Sequence, residues 1–337
     1  MHRDSKGWLL RGLAIVALTA VVGLWVLVHP LSESPPPTLT PTSTPTFTPT
    51  LTSTPTATPT HTPTPVPSEA EAPTATREAE TTPGTATAPS PITATGIALA
   101  GRVEDHTYFS PTSGEEEHYR IYLPPGYDQA DHGYPVLYLF HGWPYEAAHW
   151  DGLGIEEAAD AGIQSRILPP FIIVQPKGSE RLYINTCGGD HSFEGQVIND
   201  LVPHVDATYR TQAERGGRAI GGISRGGVWA LEIGFHHPDI FATVGAHSPA
   251  LSLNMASASY DPFYLLKGPD VATLRIYLDS GDTDWALEST RALHETLDAQ
   301  GLANQFVVHT GGHADWVWAA HVAEYLAFYT ASWSAEP

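Results

Sequence analysis

From residue 101 onward, short apolar runs alternate along the chain with stretches that have helical spacing. Near-continuous apolar runs of this length are typical of strands that are buried on both faces of a parallel sheet. The runs lie at 120–123, 135–140, 171–174, 219–223, 241–245, 274–278 and 306–309. Helices fit at 193–209, 226–236, 285–300 and 316–330. This order predicts an α/β fold with a mostly parallel central sheet and helices on both faces.

The N-terminal part has a different pattern. An uncharged segment, 12–28, follows the basic residues Arg3, Lys6 and Arg11. Extended back to Trp8, it is long enough to cross the hydrocarbon core of a bilayer as a helix. We therefore expect 1–34 to be a cytoplasmic stub and an uncleaved transmembrane anchor. The basic flank would stay inside, which places the rest of the chain outside the cell.

A cleaved signal peptide is the alternative for this segment, and it would make the protein secreted. Its apolar region is usually shorter, and no good small-x-small cleavage site follows Val28. Cleavage after Ser34 would place Pro35 at the new N-terminus, where it is unfavourable. The composition of the segment thus favours the anchor.

Residues 35–96 are almost wholly Pro, Thr, Ser and Ala. Such a segment has too few large apolar side chains to offset its chain entropy, so it is expected to be a disordered, extended linker. The remaining residues, 97–337, have the usual size of one α/β domain with a substantial core.

The net charge is −21 at pH 7, and most of it lies in 97–337. This excludes nucleic acid as a partner, because phosphate binding needs a basic surface. It also disfavours anionic lipid headgroups, so membrane contact is expected only through the N-terminal helix. Nothing in the sequence indicates an obligate protein partner. The single cysteine, Cys187, permits no intrachain disulfide and is expected to be an inert thiol.

The candidate nucleophile is Ser224, in the G-x-S-x-G pentapeptide at 222–226. The pentapeptide stands between a predicted strand and a predicted helix, which is the context of the nucleophile elbow in α/β-hydrolases. Its glycines fit a turn too tight for larger side chains. A glycine-rich phosphate loop is the alternative, but the Lys-Ser/Thr ending of such loops is missing.

The candidate base is His313, one of 17 histidines in the chain. It follows Gly311 and Gly312 after the last predicted strand, and the base comes last in the chain order of this fold. A histidine can accept the serine proton near neutral pH. His309, at the end of the strand, is the alternative base, and His321 is expected to be structural.

Two carboxylates, Asp282 and Asp284, follow the strand predicted at 274–278. The acid of a triad accepts the imidazole N–H and fixes the tautomer of the ring. We prefer Asp284, because it lies just before the next helix, where the chain returns over the sheet edge. Asp282 follows Gly281 directly, and its side chain can instead cap the turn.

An oxyanion hole needs two backbone N–H groups that face the developing charge. Arg225, the residue after the nucleophile, and Trp143, in the loop after the strand 135–140, are the candidates. His141 precedes this loop and is expected to support it.

Aromatic residues cluster in the predicted active-site loops and are candidates for a substrate pocket, since aromatic walls suit aryl or sugar groups. Packing of the last helix is the alternative for the two C-terminal members. The candidates are Tyr145, Trp285, Trp316 and Trp318.

Taken together, the ordered motifs resemble the esterase family of α/β-hydrolases that includes feruloyl esterases, enterochelin esterases, S-formylglutathione hydrolase and the antigen 85 mycolyltransferases. The resemblance extends over 101–330. It is carried by 122–127, 135–142, 201–210, 222–226, 237–241 and 311–313. Many members have a Ser-Gly pair after the strand that follows the elbow, whereas this chain has Ser248-Pro249, which leaves the local backbone there open.

The resemblance implies a serine carboxylesterase that forms an acyl-enzyme and uses no metal or organic cofactor. The triad of the family corresponds to Ser224, Asp284 and His313, and its oxyanion donors correspond to Trp143 and Arg225. The implied substrate is a small-molecule or polysaccharide-linked ester outside the cell. Two other classes stay open: an acyltransferase with the same triad, and a non-catalytic binding module displayed on a stalk.

Overall fold

The computed structural model describes residues 98–333, so the predicted anchor and linker lie outside the described residues. Eight strands form one sheet. They are β1 (Arg102–Ser110), β2 (Glu115–Leu123), β3 (Val136–Phe140), β4 (Ile172–Pro176), β5 (Arg218–Ile223), β6 (Thr243–His247), β7 (Arg275–Gly281) and β8 (Asn304–His309). Their order is β1-β2-β4-β3-β5-β6-β7-β8. β2 pairs antiparallel with β1 and β4, and all later neighbours pair in parallel.

Helices fill the connections between the strands. They are α1 (His149–Gly152), α2 (Ile155–Gln164), α3 (Glu180–Asn185), α4 (Phe193–Gly195), α5 (Val202–Thr208), α6 (Arg225–His236), α7 (Pro262–Leu265), α8 (Leu287–Ala299) and α9 (Asp315–Thr330). A π-helical segment, Gln196–Leu201, joins α4 to α5, so the helix predicted at 193–209 has a widened middle. Among residues 98–333, no helix combines the length and apolar character that a bilayer crossing requires.

The central strand β3 shows why the sheet is covered on both faces. Its side chains alternate between two cores: Val136, Tyr138 and Phe140 belong to one, and Leu137 and Leu139 belong to the other. α6 and α8 pack in the first core, whereas α2 and α9 pack in the second. The predicted mostly parallel sheet with helices on both faces, an α/β-hydrolase-like fold, is thereby confirmed.

Strand β1 is not predicted by the hydrophobic pattern, because it is an edge strand whose residues are mainly polar and half-exposed. Ion pairs with neighbouring segments cover part of it, from Arg102 to Asp128 at 2.7 Å and from Arg120 to Asp105 at 3.0 Å. Charged residues on an edge strand also oppose pairing with other chains.

Strand β7 continues past its predicted end at 278, to Gly281, and the buried carboxylate in this extension has two imidazole neighbours. The oxygens of Asp279 lie 3.3 Å from His247 Nδ1 and 3.2 Å from His309 Nε2. Burial alone would raise the pKa of Asp279, but the two imidazoles outweigh burial and hold the pKa below its usual range. A hydrophobicity pattern cannot show that an acidic residue has such partners.

Helix α6 contains a buried carboxyl group that predicts a pH-dependent stability. Glu232 accepts a hydrogen bond from Asn254 Nδ2 at 3.2 Å, and its Oε2 has no partner within residues 98–333. Burial raises the pKa of Glu232 to about 8. This pKa is above that of a glutamate in an unfolded chain. The contribution of the protonated Glu232 carboxyl to stability is therefore complete below about pH 4.5 and is lost as the pH rises through 8.

We expect Glu232→Gln to abolish this loss, so that at pH 9 the variant exceeds the wild type in free energy of unfolding by about 5 kcal/mol. Urea denaturation at pH 5 and pH 9 measures the difference. Glu295→Gln, an exposed glutamate on α8, is the matched control and should leave the pH dependence unchanged. If the free energy of unfolding of Glu232→Gln depends on pH as that of the wild type does, the Glu232 carboxyl titrates normally in the wild type and the prediction is wrong.

Candidate active site

Ser224 lies at the tip of the turn between β5 and α6, with φ 55° and ψ −115°. A non-glycine residue in this conformation is strained, as the serine of a nucleophile elbow is. Three backbone hydrogen bonds hold the turn: Ser224 donates to the carbonyl of His247 at 2.9 Å, and it accepts from Val228 and Ala250, both at 3.1 Å.

The two glycines of the motif are required by contacts with backbone atoms. A Cβ added to Gly222 would overlap the backbone of Gly226. A Cβ added to Gly226 would lie 2.5 Å from the carbonyl oxygens of Phe140 and His141. Because backbone atoms cannot move aside as flexible side chains do, the elbow packs tightly only with glycine at both positions.

His313 connects the serine to a carboxylate. It follows Gly311, which has φ 130°, and stands just before α9. His313 Nε2 lies 3.0 Å from Ser224 Oγ, and Nδ1 lies 2.9 and 3.1 Å from the two oxygens of Asp284. Since an ionised carboxylate only accepts, Nδ1 carries the proton, and Nε2 is free to accept from the serine hydroxyl.

Asp284 is buried and accepts a further hydrogen bond from the Ala286 N–H at 2.8 Å. Burial alone would raise the pKa of Asp284, but the interactions with His313, Ser248 and Ala286 outweigh it and lower the pKa. The carboxylate therefore stays ionised at neutral pH and can stabilise an imidazolium.

Ser248 is a site residue that the sequence did not reveal. The sequence left the backbone conformation at Ser248-Pro249 open. In the structure, Ser248 has φ 47°, in the left-handed region. The Ser248 hydroxyl also accepts a hydrogen bond from Trp318 Nε1 at 3.1 Å. Only the strand pairing of the sheet places this residue beside Asp284, so no sequence motif marks it.

The structure places Asp284, and not Asp282, against the imidazole. Asp282 Oδ1 accepts from the Gly311 N–H at 2.9 Å and so supports the loop that carries His313. The alternative base, His309, contacts Asp279 instead, and its ring stacks on His321 at 3.5 Å between centroids.

The two predicted oxyanion donors lie in segments next to Ser224. Arg225 begins α6, where a backbone N–H has no acceptor within the helix. The Trp143 N–H has no hydrogen-bond partner within the described part of the chain. A Cβ added to the preceding residue, Gly142, would lie 3.6 Å from Ser224 Cβ, so this loop backbone approaches the nucleophile closely.

His141 contacts the same loop, as the sequence led us to expect. Its Nδ1 lies 2.9 Å from the carbonyl oxygen of Gly142, and its Nε2 lies 2.8 Å from that of Lys177. The ring stacks on Tyr183 at 4.4 Å between centroids. These contacts engage both nitrogens of the ring with backbone rather than with Ser224.

Of the four aromatic pocket candidates, Trp318 differs from the expectation. It is only 3% exposed and packs edge-on against His313 at 5.0 Å, because it lies on the inner side of α9. Trp285 is 48% exposed and lies 4.4 Å from His313 between ring centroids. Tyr145 and Trp316 are exposed as well, so these three can contact a substrate.

A cleft of about 410 Å³ adjoins the loop after β3 that carries Gly142 and Trp143, which we call the oxyanion loop. Its lining includes Trp143, Tyr145, Lys177 and Tyr183.

The side chain of Cys187, which the sequence predicts to be an inert thiol, is half-buried. Within 98–333, two groups of side chains have a spacing that could hold a metal ion: Glu194, His236 and His237, and His309, His321 and Glu324. Neither group includes Ser224, Asp284 or His313.

Chemically, the arrangement provides a nucleophile, a base, a carboxylate that orients the base, and two unpaired backbone donors. These are the groups that acyl transfer requires.

Comparison with known proteins gives a consistent result. Residues 110–329 match the family model described as "Putative esterase". An endo-1,4-beta-xylanase/feruloyl esterase of Xylanibacter ruminicola is 28% identical over 224 residues, which is 61% of this chain and 30% of that protein. An esterase of Mycobacterium tuberculosis is 35% identical over 139 residues, which is 40% of this chain and 29% of that protein. The chain thus spans less than a third of the length of these two relatives.

Among solved structures, a ferulic acid esterase superposes with a TM-score of 0.63 at 24% identity, covering 69% of this chain and 99% of that chain. At this level of identity, the likeness shows the fold alone.

The geometry predicts different roles for the two neighbouring aspartates. A fluorophosphonate reacts with a serine in proportion to its activation by the base. We expect Asp284→Asn to slow labelling of Ser224 by roughly 10³ to 10⁴, the scale of loss for the same change in a serine protease. Asp282→Asn retains an acceptor for Gly311, so labelling should slow by no more than about threefold. Mass spectrometry of the labelled peptide measures both rates, and the reverse ranking would exchange the two assignments.

Proposed function

This chain belongs to the esterase family matched by residues 110–329, and from this premise we propose that it is a serine carboxylesterase. The observation that carries the proposal is the continuous hydrogen-bonded series from Asp284 through His313 to Ser224, at 2.9 and 3.0 Å. It ends at a strained serine in an elbow, as the chemistry of an activated nucleophile requires.

In the first half-reaction, Ser224 Oγ attacks the carbonyl carbon of the ester while its proton passes to His313 Nε2. Asp284 stabilises the resulting imidazolium, and the N–H groups of Trp143 and Arg225 face the new oxyanion. When the tetrahedral intermediate collapses, the C–O bond to the alcohol breaks. The leaving oxygen takes the proton from His313, and an ester of Ser224 remains.

The second half-reaction repeats these steps with water. His313 takes a proton from water as the water oxygen attacks the acyl carbon. Collapse then breaks the bond to Ser224 Oγ, which regains its proton from His313. The products are a carboxylic acid and the free enzyme.

We infer that the acyl or alcohol group of the substrate is an aromatic ring or a sugar. Three exposed aromatic side chains support this: Trp143, Tyr145 and Trp285 border the site or its adjoining cleft. Flat aromatic surfaces bind such groups with little loss of side-chain entropy. The relatives named feruloyl esterase carry an activity of the same class.

The test is a panel of p-nitrophenyl acetate, p-nitrophenyl butyrate and methyl ferulate. We expect the wild type to hydrolyse these esters, with the highest kcat/KM for methyl ferulate. Ser224→Ala should lose activity by at least about 10³ while its melting temperature stays unchanged, because the hydroxyl is needed for the covalent step. Residual turnover at the wild-type rate would refute the assignment of the nucleophile. Transfer of the acyl group to an added alcohol in preference to water would identify an acyltransferase.

We also propose that residues 1–34 anchor the protein in the cell membrane and that 35–96 is a flexible tether that holds the domain outside. The basic flank and uncharged length of the first segment support this placement. The Pro- and Thr-rich composition of the second supports an extended spacer.

Cell fractionation tests the placement. The full chain should sediment with membranes, and protease added to intact cells should release the esterase domain. A chain that begins at Ala98 should be soluble and retain the kcat/KM of the full chain on p-nitrophenyl acetate, because the tether contacts no part of the site in this proposal. A mature form that begins after Ser34 would instead identify a cleaved signal.

A further inference from the structure

The oxyanion loop is held by a second histidine that the triad does not include. The Gly142 N–H donates to His149 Nδ1 at 3.0 Å. On the other side of the ring, His149 Nε2 lies 3.2 Å from Asp315 Oδ1. Tyr145 donates its hydroxyl to Asp315 Oδ2 at 3.0 Å, and its ring stacks on His149 at 3.9 Å with an interplanar angle of 5°.

These contacts determine the protonation of His149. A backbone N–H can only donate, so the nitrogen that faces Gly142 must be unprotonated, and the proton lies on Nε2, which donates to Asp315. The ring is buried, and this burial lowers the pKa of His149 even though Asp315 acts in the opposite direction. The titratable groups around the ring are Asp315, Tyr145 and His141. A neutral ring is the state that accepts from Gly142.

The Gly142 N–H, which donates to His149, is one residue before the Trp143 N–H. The Trp143 N–H belongs to the peptide bond between Gly142 and Trp143. In a planar trans peptide, the carbonyl of Gly142 and the N–H of Trp143 point in opposite directions. The carbonyl accepts from the N–H of Tyr145 at 2.9 Å, and Nδ1 of His141 lies at the same distance from it. His149 fixes the peptide on the other side of Gly142. Together these hydrogen bonds define the direction of the Trp143 N–H.

We propose that His149, oriented by Asp315 and Tyr145, is a positioning residue that aligns the Trp143 N–H with the oxyanion. Asp315 is the first residue of α9 and lies two positions after His313. The same network therefore ties the oxyanion loop to the loop of the general base. This inference rests on the proposed esterase function, and His149 acts through the backbone without touching the substrate.

The experiment uses two substitutions at His149 in the full chain, with p-nitrophenyl acetate as substrate. His149→Phe keeps a flat ring for Tyr145 but removes the acceptor. We expect kcat to fall about ten- to a hundredfold, less than the 10² to 10³ that removal of an oxyanion donor costs, with KM within about twofold. His149→Asn places an oxygen near the position of Nδ1 and should recover most of the lost kcat.

Two further variants separate positioning from stability. His321→Phe is the matched control, because this half-buried histidine of α9 stacks on His309 and should leave kcat unchanged. Asp315→Ala alters a half-exposed side chain, so it provides a second measurement if His149→Phe does not fold. We expect it to lower kcat about three- to tenfold at constant KM.

A purely structural role would lower the melting temperature of both His149 variants and leave kcat near the wild-type value at lower temperature. That result, or equal losses for His149→Phe and His149→Asn, would overturn the proposal. If the wild type hydrolyses no ester of the panel, the proposed function fails separately. The role of His149 is then read from the rate of fluorophosphonate labelling of Ser224, whose tetrahedral adduct needs the same N–H. Equal labelling rates for wild type and His149→Phe would refute it.

Discussion

The strained turn at Ser224 is the constraint on which the rest of the site depends. A serine at φ 55° costs about 1 to 3 kcal/mol, which the surrounding structure must offset. Hydrogen bonds with the backbone of His247 and Ala250, at and just after the end of β6, offset part of this cost. Gly222 permits the close approach of β5 to α6, and Gly226 permits that of β3 to α6. The turn raises the hydroxyl above the sheet edge, where groups from other strands can reach it.

Parallel pairing explains why those groups arrive at one place. β3, β5, β6, β7 and β8 all run in the same direction, so the loops after them meet at the same edge of the sheet. These loops carry Trp143 after β3, Ser224 and Arg225 after β5, Ser248 after β6, Asp284 after β7 and His313 after β8. Five separate segments thus form one site without any long insertion.

Next to Ser224, His313 and Asp284, the described part of the chain contains a group of buried polar side chains. The oxygens of Asp279 lie 3.3 Å from His247 Nδ1 and 3.2 Å from His309 Nε2, and Tyr329 contacts His247 Nε2 at 2.9 Å. Unpaired, such a carboxylate would cost several kcal/mol in the core. With its imidazole partners, it lets β7 continue to Gly281, which pairs with His309 of β8 and sets the start of both active-site loops.

The sequence by itself determined the mostly parallel sheet, because buried parallel strands have a local signature. It also singled out Ser224, since the glycine spacing of an elbow is local as well. It could rank Asp284 over Asp282, and His313 over His309, only by chain order and neighbouring glycines. The tertiary structure decided what depends on contacts between distant segments: the burial of Trp318, the influence of Ser248 on the Asp284 carboxylate, and the hydrogen bond from His149 to Asp315. Ser248 and Asp284 are 36 positions apart, and His149 and Asp315 are 166 positions apart. No local sequence pattern shows a contact between residues that only the folded sheet brings together.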